Sequence, residues 1–141
     1  MDKEYDQLVQ KLILSAIRVT PIRGQIIKIF LSKKMPISAI DLISQFKKIN
    51  FKINKTTIYR EIYFLVQKKI LQEVEFGEGK KRYEIDTGHH HHHIICINCK
   101  KVLDVDLNVD LQEEEKHIES KTGFKITNHY LEFFGVCSDC R

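Results

Sequence analysis

Two Cys-x-x-Cys pairs, Cys96/Cys99 and Cys137/Cys140, constrain this chain more than any other feature, and residues 100–136, 37 in number, separate them. Each pair makes a tight chelating loop, and two such loops can meet to complete a tetrahedron of thiolates around one ion. Four thiolates leave no open coordination position. The spacing therefore predicts a structural zinc site, with metal-binding energy serving as folding energy and the chain end tied back to its middle. The competing reading is a redox dithiol or a set of unmetallated thiols. Lys100 follows the first pair where zinc knuckles favour glycine, which predicts a less relaxed turn. Met1-Asp2-Lys3-Glu4 is charged and reads as no signal peptide, and no run approaches the ~20 apolar residues of a membrane span. The expected compartment is the cytoplasm, whose reducing conditions favour metal over disulfides.

The first cysteine pair is entered through Gly88-His89-His90-His91-His92-His93-Ile94-Ile95. A purification tag would sit at a terminus; this run is internal and continues into an apolar, strand-like segment. Side chains of an extended chain alternate faces, so His91 and His93 point one way and His90 and His92 the other. One run can thus feed two metal sites. On the first face Glu84 and Asp104 are available carboxylates, giving a candidate regulatory site of Glu84, His91, His93 and Asp104 that would bridge two modules. On the second face His129 is a plausible partner for His90 and His92, while His117 reads as a surface helix residue.

Charge divides the chain. Residues 1–86 hold 17 Lys/Arg and 10 Asp/Glu, net +7, whereas residues 87–141 hold 6 and 9, net −3. A basic half joined to an acidic, metal-rich half suggests a polyanion-binding module followed by a sensor or assembly module. Helical spacing predicts a first helix over 4–17, a second from Pro21 (capped by Thr20) to Lys33, and a third after Ser38 that carries Leu42, Ile43, Phe46 and Ile49. Asn54 caps a fourth, Lys55 to Lys69, with Ile58, Ile62, Leu65 and Val66 facing inward and Thr56, Tyr59, Arg60, Tyr63 and Gln67 outward. Leu71 to Ile85 then reads as two strands around a Gly77-Glu78-Gly79 turn. Three helices followed by a hairpin make a winged helix, whose last helix enters the major groove. Lys80, Lys81 and Arg82 on the returning strand are placed for phosphate contacts. In the carboxyl half, Ile94–Ile97 and Val102–Asp106 read as strands, Leu111–Lys121 as an acidic helix ended by Gly123, and Phe124–Val136 as one long strand.

Five segments together resemble the ferric uptake regulator (Fur) family of metal-dependent transcription factors, over essentially the whole chain. They are Arg18-Val19-Thr20-Pro21-x-Arg23, Thr57-Ile58-Tyr59-Arg60, the histidine run leading to Cys96-x-x-Cys99, Thr127-Asn128-His129, and Cys137-x-x-Cys140. The resemblance implies an α+β chain, with an N-terminal winged helix-turn-helix DNA-binding domain (1–86) and a small C-terminal α/β dimerisation domain (87–141) carrying a four-cysteine zinc site. It implies a homodimer on AT-rich inverted-repeat operators that represses when its regulatory Fe²⁺, Mn²⁺ or Zn²⁺ is bound. Carried over residue by residue, Cys96, Cys99, Cys137 and Cys140 match the structural zinc ligands. Glu84, His91 and His93 match regulatory ligands, and Asp104 matches a carboxylate of the peroxide-sensing branch. His90, His92 and His129 match a third site. Arg18, Arg23, Lys55, Thr56, Thr57, Tyr59, Arg60, Lys80 and Lys81 are the expected DNA contacts. Two positions depart from the pattern: Met35-Pro36-Ile37-Ser38-Ala39 lacks the histidine often found before Ser-Ala, and the third-site carboxylate falls on Gln112, with Glu113 beside it.

The expected function is metal-responsive transcriptional repression of metal-uptake or oxidative-stress genes, with no catalytic residues. A metal buffer or chaperone would use the histidines but leave the winged helix unexplained. A metal-dependent enzyme is the remaining class, against which stand the lack of a Gly-rich phosphate loop, of a His-Glu-x-x-His pair and of a nucleophile with an evident base.

Overall fold

The computed structural model describes residues 2–33, 35–88, 91–107, 109, 111–127 and 129–141. The chain divides into two compact units, Met1–Gly88 and His89–Arg141.

The first unit runs α1 (Asp2–Leu14), α2 (Pro21–Leu31), β1 (Ile37–Ser38), α3 (Ala39–Lys48), α4 (Lys55–Gln67), β2 (Leu71–Glu75) and β3 (Lys81–Ile85). Its sheet has the order β1-β3-β2 with antiparallel pairing throughout. The starts of α2, α3 and α4 each follow from a capping side chain. Thr20 accepts from the Arg23 amide and Pro21 occupies the first turn of α2. Ser38 and Asp41 form a reciprocal capping box on α3, and Asn54 accepts from the Thr56 amide at α4. Burial works against ionisation of Asp41, but its hydrogen bonds from Ser38 and the nearby Arg82 outweigh that and hold its carboxyl below the ordinary value. Its contribution to stability is therefore present above the usual Asp range and is lost as pH falls through the lowered value.

Between the helices and the sheet lies one apolar core. Ile26 and Ile27 of α2, Leu42 and Phe46 of α3, and Ile58 and Leu65 of α4 are all fully buried. Leu12 of α1, Ile70, Leu71 and Tyr83 complete it. The hairpin turn after β2 needs two residues with positive φ, and Gly77 (68°) and Gly79 (70°) supply them.

The first helix stops three residues before the expected Ile17, for a reason repeated twice more. Ala16, Asn50 and Lys69 each adopt left-handed backbone geometry, with φ of 55°, 52° and 53°. The following residues, Ile17, Phe51 and Ile70, donate their amides back to Leu12, Phe46 and Leu65. This is the Schellman ending, in which a left-handed residue reverses the chain and the next, apolar residue folds onto the helix. Periodicity alone counts that apolar residue as part of the helix.

The second unit runs β4 (His92–Cys96), β5 (Val102–Val105), α5 (Leu111–Thr122), β6 (Glu132–Gly135) and a 3₁₀ turn (Ser138–Cys140). Its sheet has the order β5-β4-β6, antiparallel on the β5 side and parallel on the β6 side. Gly123, at φ 74°, ends α5 as expected. The long strand expected over 124–136 is corrected to four residues. Upstream of it, the Ile126 amide donates to Glu119 and the His129 ring meets Glu115, so the described residues of this segment are tied to α5 by side chains and not to a sheet edge. The strand carrying the histidines also begins earlier than expected, at His92.

Replacing Ala16 by Gly removes the Cβ from a left-handed position. The Ala16→Gly protein should gain about 0.5–1 kcal/mol, read as a higher urea midpoint at unchanged slope.

Candidate functional site

Helix α4 has a buried and an exposed face, with Thr57, Glu61, Phe64 and Val66 between them. Ile58, Ile62 and Leu65 are buried, whereas Lys55, Thr56, Tyr59, Arg60, Tyr63 and Gln67 are exposed and Thr57 is half-buried. Tyr59 and Tyr63 keep 50% and 68% of their surface in solvent, a large aromatic exposure for a helix otherwise locked into a core. Arg18 is exposed too.

Other cations expected on this surface are engaged within the unit. Arg23 is only 8% exposed; its guanidinium pairs with Glu61 at 2.9 Å, donates to the Arg18 carbonyl and lies 4.0 Å from the Phe64 ring centroid. It locks α2 against α4, so this guanidinium, expected among the DNA contacts, is engaged by acceptors of its own unit. Arg82 donates to Glu78 at 2.9 Å and to the Pro36 carbonyl at 3.3 Å, and packs on Phe76. Lys80 and Lys81 are exposed, beside Glu78 and Glu73 respectively. Pro36, in the segment that lacks the histidine, is fully buried.

In the second unit the four cysteine sulfurs lie within 4.8 Å of one another. The Cys99 and Cys137 sulfurs are 3.6 Å apart, close to the ~3.8 Å edge of a tetrahedron with Zn–S bonds of ~2.3 Å. The Cys137 amide donates to the Cys96 sulfur, and this bond together with backbone donors around Cys99 brings the Cys96 thiol down to about 6. Hydrogen bonds from Cys137 and Cys99 push Cys140 up to about 12, and burial raises Cys137. Negative charge gathered on four clustered sulfurs opposes further ionisation, and a bound dication would offset it. Lys100 takes φ 63°, so the strained turn expected there is present; its amide donates to the Cys96 carbonyl.

The alternation of the histidine run is also present. The rings of His91 and His93 meet edge to face at 5.1 Å, while His92 turns to the opposite face and stacks on His129 at 5.9 Å. His93 is 1% exposed. It occupies one cross-strand row with Asp104 of β5 and Glu132 of β6. Its Nε2 lies 3.7 Å from Asp104 and its Nδ1 lies 3.3 Å from Glu132. Burial raises the Glu132 carboxyl above its ordinary range, opposed by the adjacent His93. On the other face, His129 Nδ1 meets Glu115 at 2.6 Å. His90 lies outside the described residues. His117 is exposed on α5, as expected. Glu84 sits on β3 opposite Gln72, whose Nε2 donates to it at 2.6 Å.

Sequence reasoning missed two of these carboxylates. Glu115 stands where Gln112 or Glu113 was expected, and three consecutive glutamates gave no local basis for choosing among them. Glu132 reaches His93 only through the parallel pairing of β4 and β6, which no nearby residue announces.

The family model for the ferric uptake regulator family matches residues 15–134. The chain belongs to the ferric uptake regulator family. The Bacillus subtilis ferric uptake regulation protein is 30% identical over 144 residues, covering 99% of this chain and 96% of that relative. The peroxide-responsive repressor PerR of Staphylococcus epidermidis is 28% identical over 141 residues, covering 100% and 93%. A zinc uptake regulator solved with zinc and DNA has the same fold, with a TM-score of 0.81 at 21% identity over 99% of this chain and 93% of that one.

Cys140→Ser removes one of four ligands from the cluster. The substituted protein should lose its zinc, measured by metal analysis after dialysis, and lose hydrogen-exchange protection in β4 and β6 while the first unit keeps its own. Arg23→Ala should cost roughly 2 kcal/mol of stability, seen in urea unfolding, because Glu61 is left half-buried without its partner.

Proposed function

We propose that this chain is a metal-responsive transcriptional repressor that binds AT-rich inverted-repeat DNA as a homodimer, with Zn²⁺ held structurally by the four cysteines. The observation that carries the DNA-binding part is the outward face of α4, where Thr56, Tyr59, Arg60, Tyr63 and Gln67 stand on a helix immobilised by its own core. A helix so held can lie in a major groove without itself reorganising. Its capped N-terminus, with Lys55 and Thr56 exposed, suits a phosphate. The hairpin with Lys80 and Lys81 serves as the wing and Arg18 as a further backbone or minor-groove contact. The first unit is then a winged helix-turn-helix domain working in the cytoplasm.

The second unit would assemble the dimer and sense the metal. Leu103, Ile94 and Phe133 form one cross-strand row on the sheet and remain 54%, 38% and 37% exposed. An apolar row of that kind fits a second copy of itself, and a two-fold dimer would present two recognition helices to two half-sites. His91, His93 and Asp104 are this unit's share of the regulatory site; Glu84 joins them by its match to the family pattern. His92 and His129, with Glu115 as the carboxylate, form the third site. Relatives named for iron and for peroxide, and fold relatives solved with zinc and with manganese, make Fe²⁺, Mn²⁺ and Zn²⁺ the effectors to compare.

Fluorescence anisotropy with an AT-rich inverted-repeat duplex, at fixed salt and with the cysteine-bound zinc retained, tests the reading. One of the three metals should tighten binding tenfold or more, about 1.4 kcal/mol of coupling. Equal affinity for this duplex and random DNA, with and without each metal, rejects it. Arg60→Ala should weaken binding with zinc content unchanged. Ile94→Asp should shift the protein toward monomer in sedimentation velocity.

A further inference from the structure

We propose that Glu132 is the positioning residue of the regulatory site: its carboxylate fixes the His93 imidazole with the proton on Nδ1 and presents Nε2, on the Asp104 side, as the metal-binding atom. The proposal rests on His91, His93 and Asp104 being the second unit's regulatory ligands, and it adds a residue that is not itself a ligand.

Three observations converge. Glu132, His93 and Asp104 form a single row across β6, β4 and β5, so the imidazole lies between two carboxylates on opposite sides. Those carboxylates are not equivalent. The Glu132 side chain is 9% exposed and the Asp104 side chain 72%, so one faces the interior and the other faces solvent. Glu132 also contacts His93 twice: its Oε2 accepts from the backbone amide at 3.1 Å and lies 3.3 Å from ring Nδ1, a close contact that stops short of hydrogen-bond geometry. When Glu132 is ionised its oxygens can only accept, so a neutral His93 ring meets it with the hydrogen on Nδ1, a small rotation of the ring closing the bond. A neutral imidazole has one such hydrogen, which leaves the lone pair on Nε2. A buried carboxylate behind a ligating histidine fixes its tautomer and ring orientation and raises its basicity, and removing such a partner typically weakens metal affinity ~10–100-fold.

The test uses the full chain with its cysteine-bound zinc retained. Long-range ¹H–¹⁵N spectra of the histidine rings, recorded without regulatory metal, should show His93 protonated at Nδ1; a ring protonated at Nε2 overturns the proposal without any substitution. Co²⁺ titrations then compare Glu132→Gln, whose amide oxygen can still accept from Nδ1, with Glu132→Leu, which cannot. The leucine variant should bind Co²⁺ about 10–100-fold more weakly and the glutamine variant within a few-fold of the parent, both with the parent visible spectrum. If the two variants lose affinity equally and the spectrum changes in both, Glu132 is a direct ligand and the positioning role is wrong. Undiminished affinity in Glu132→Leu likewise rejects it. Zinc content and sedimentation monitor folding. His91→Ala and Asp104→Ala separate the two layers of the argument: if neither weakens Co²⁺ binding, the regulatory-site reading fails, whatever the tautomer of His93.

Discussion

The second unit depends on the meeting of four sulfurs. Among its described residues Ile95 and Cys96 are the buried apolar side chains, and α5 buries none. So little removed apolar surface cannot offset the entropy of ordering a segment of this size. The cysteines stand where closure matters most. Cys96 ends β4 opposite Gly135 of β6, and the second pair follows directly after β6. A metal joining the pairs clamps the one parallel strand pairing of the sheet, the kind that needs a long crossover and receives no help from a turn. That pairing sets Glu132 beside His93. The segment leading into β6 carries His129 to His92. Both histidine environments thus follow from the meeting of the four sulfurs.

The first unit is held in the opposite manner. Its core joins the helices to a small sheet, three helix starts have a capping side chain and three helix ends close by the same backbone device. Rigidity there has a consequence for function. The exposed face of α4 owes its geometry to Ile58, Ile62 and Leu65 behind it and to the Arg23–Glu61 pair, which ties α2 to α4 from the side. Arg23, basic and on this side of the unit, is thus held by its own unit's acceptors. Net charge does not reveal this; the acceptors around the guanidinium do.

Much of this was legible in the chain before folding. The Cys-x-x-Cys spacing announced a tetrathiolate, the histidine run announced two faces, and the inward and outward residues of α4 were separated by period alone. These features are local, because a ligand loop, a strand's alternation and a helix's stripe are each fixed within a few residues by backbone geometry. Where local reading failed, it failed at ends and at partners. It extended α1 through Ile17 because an apolar residue folded back on a helix has the same spacing as one within it. It also drew a strand from Phe124 onward, where side chains of α5 claim the Phe124 and Ile126 amides instead.

The sequence by itself determined the chemistry of the donors and the face on which each one stands. Only the tertiary structure decided which donors meet. Glu132 lies 39 residues from His93, and Glu115 is one of three adjacent glutamates. Their placement depends on strand register and on the path of the chain around α5. Register is set by the whole sheet and the metal clamp that closes it, and no local run of residues encodes it.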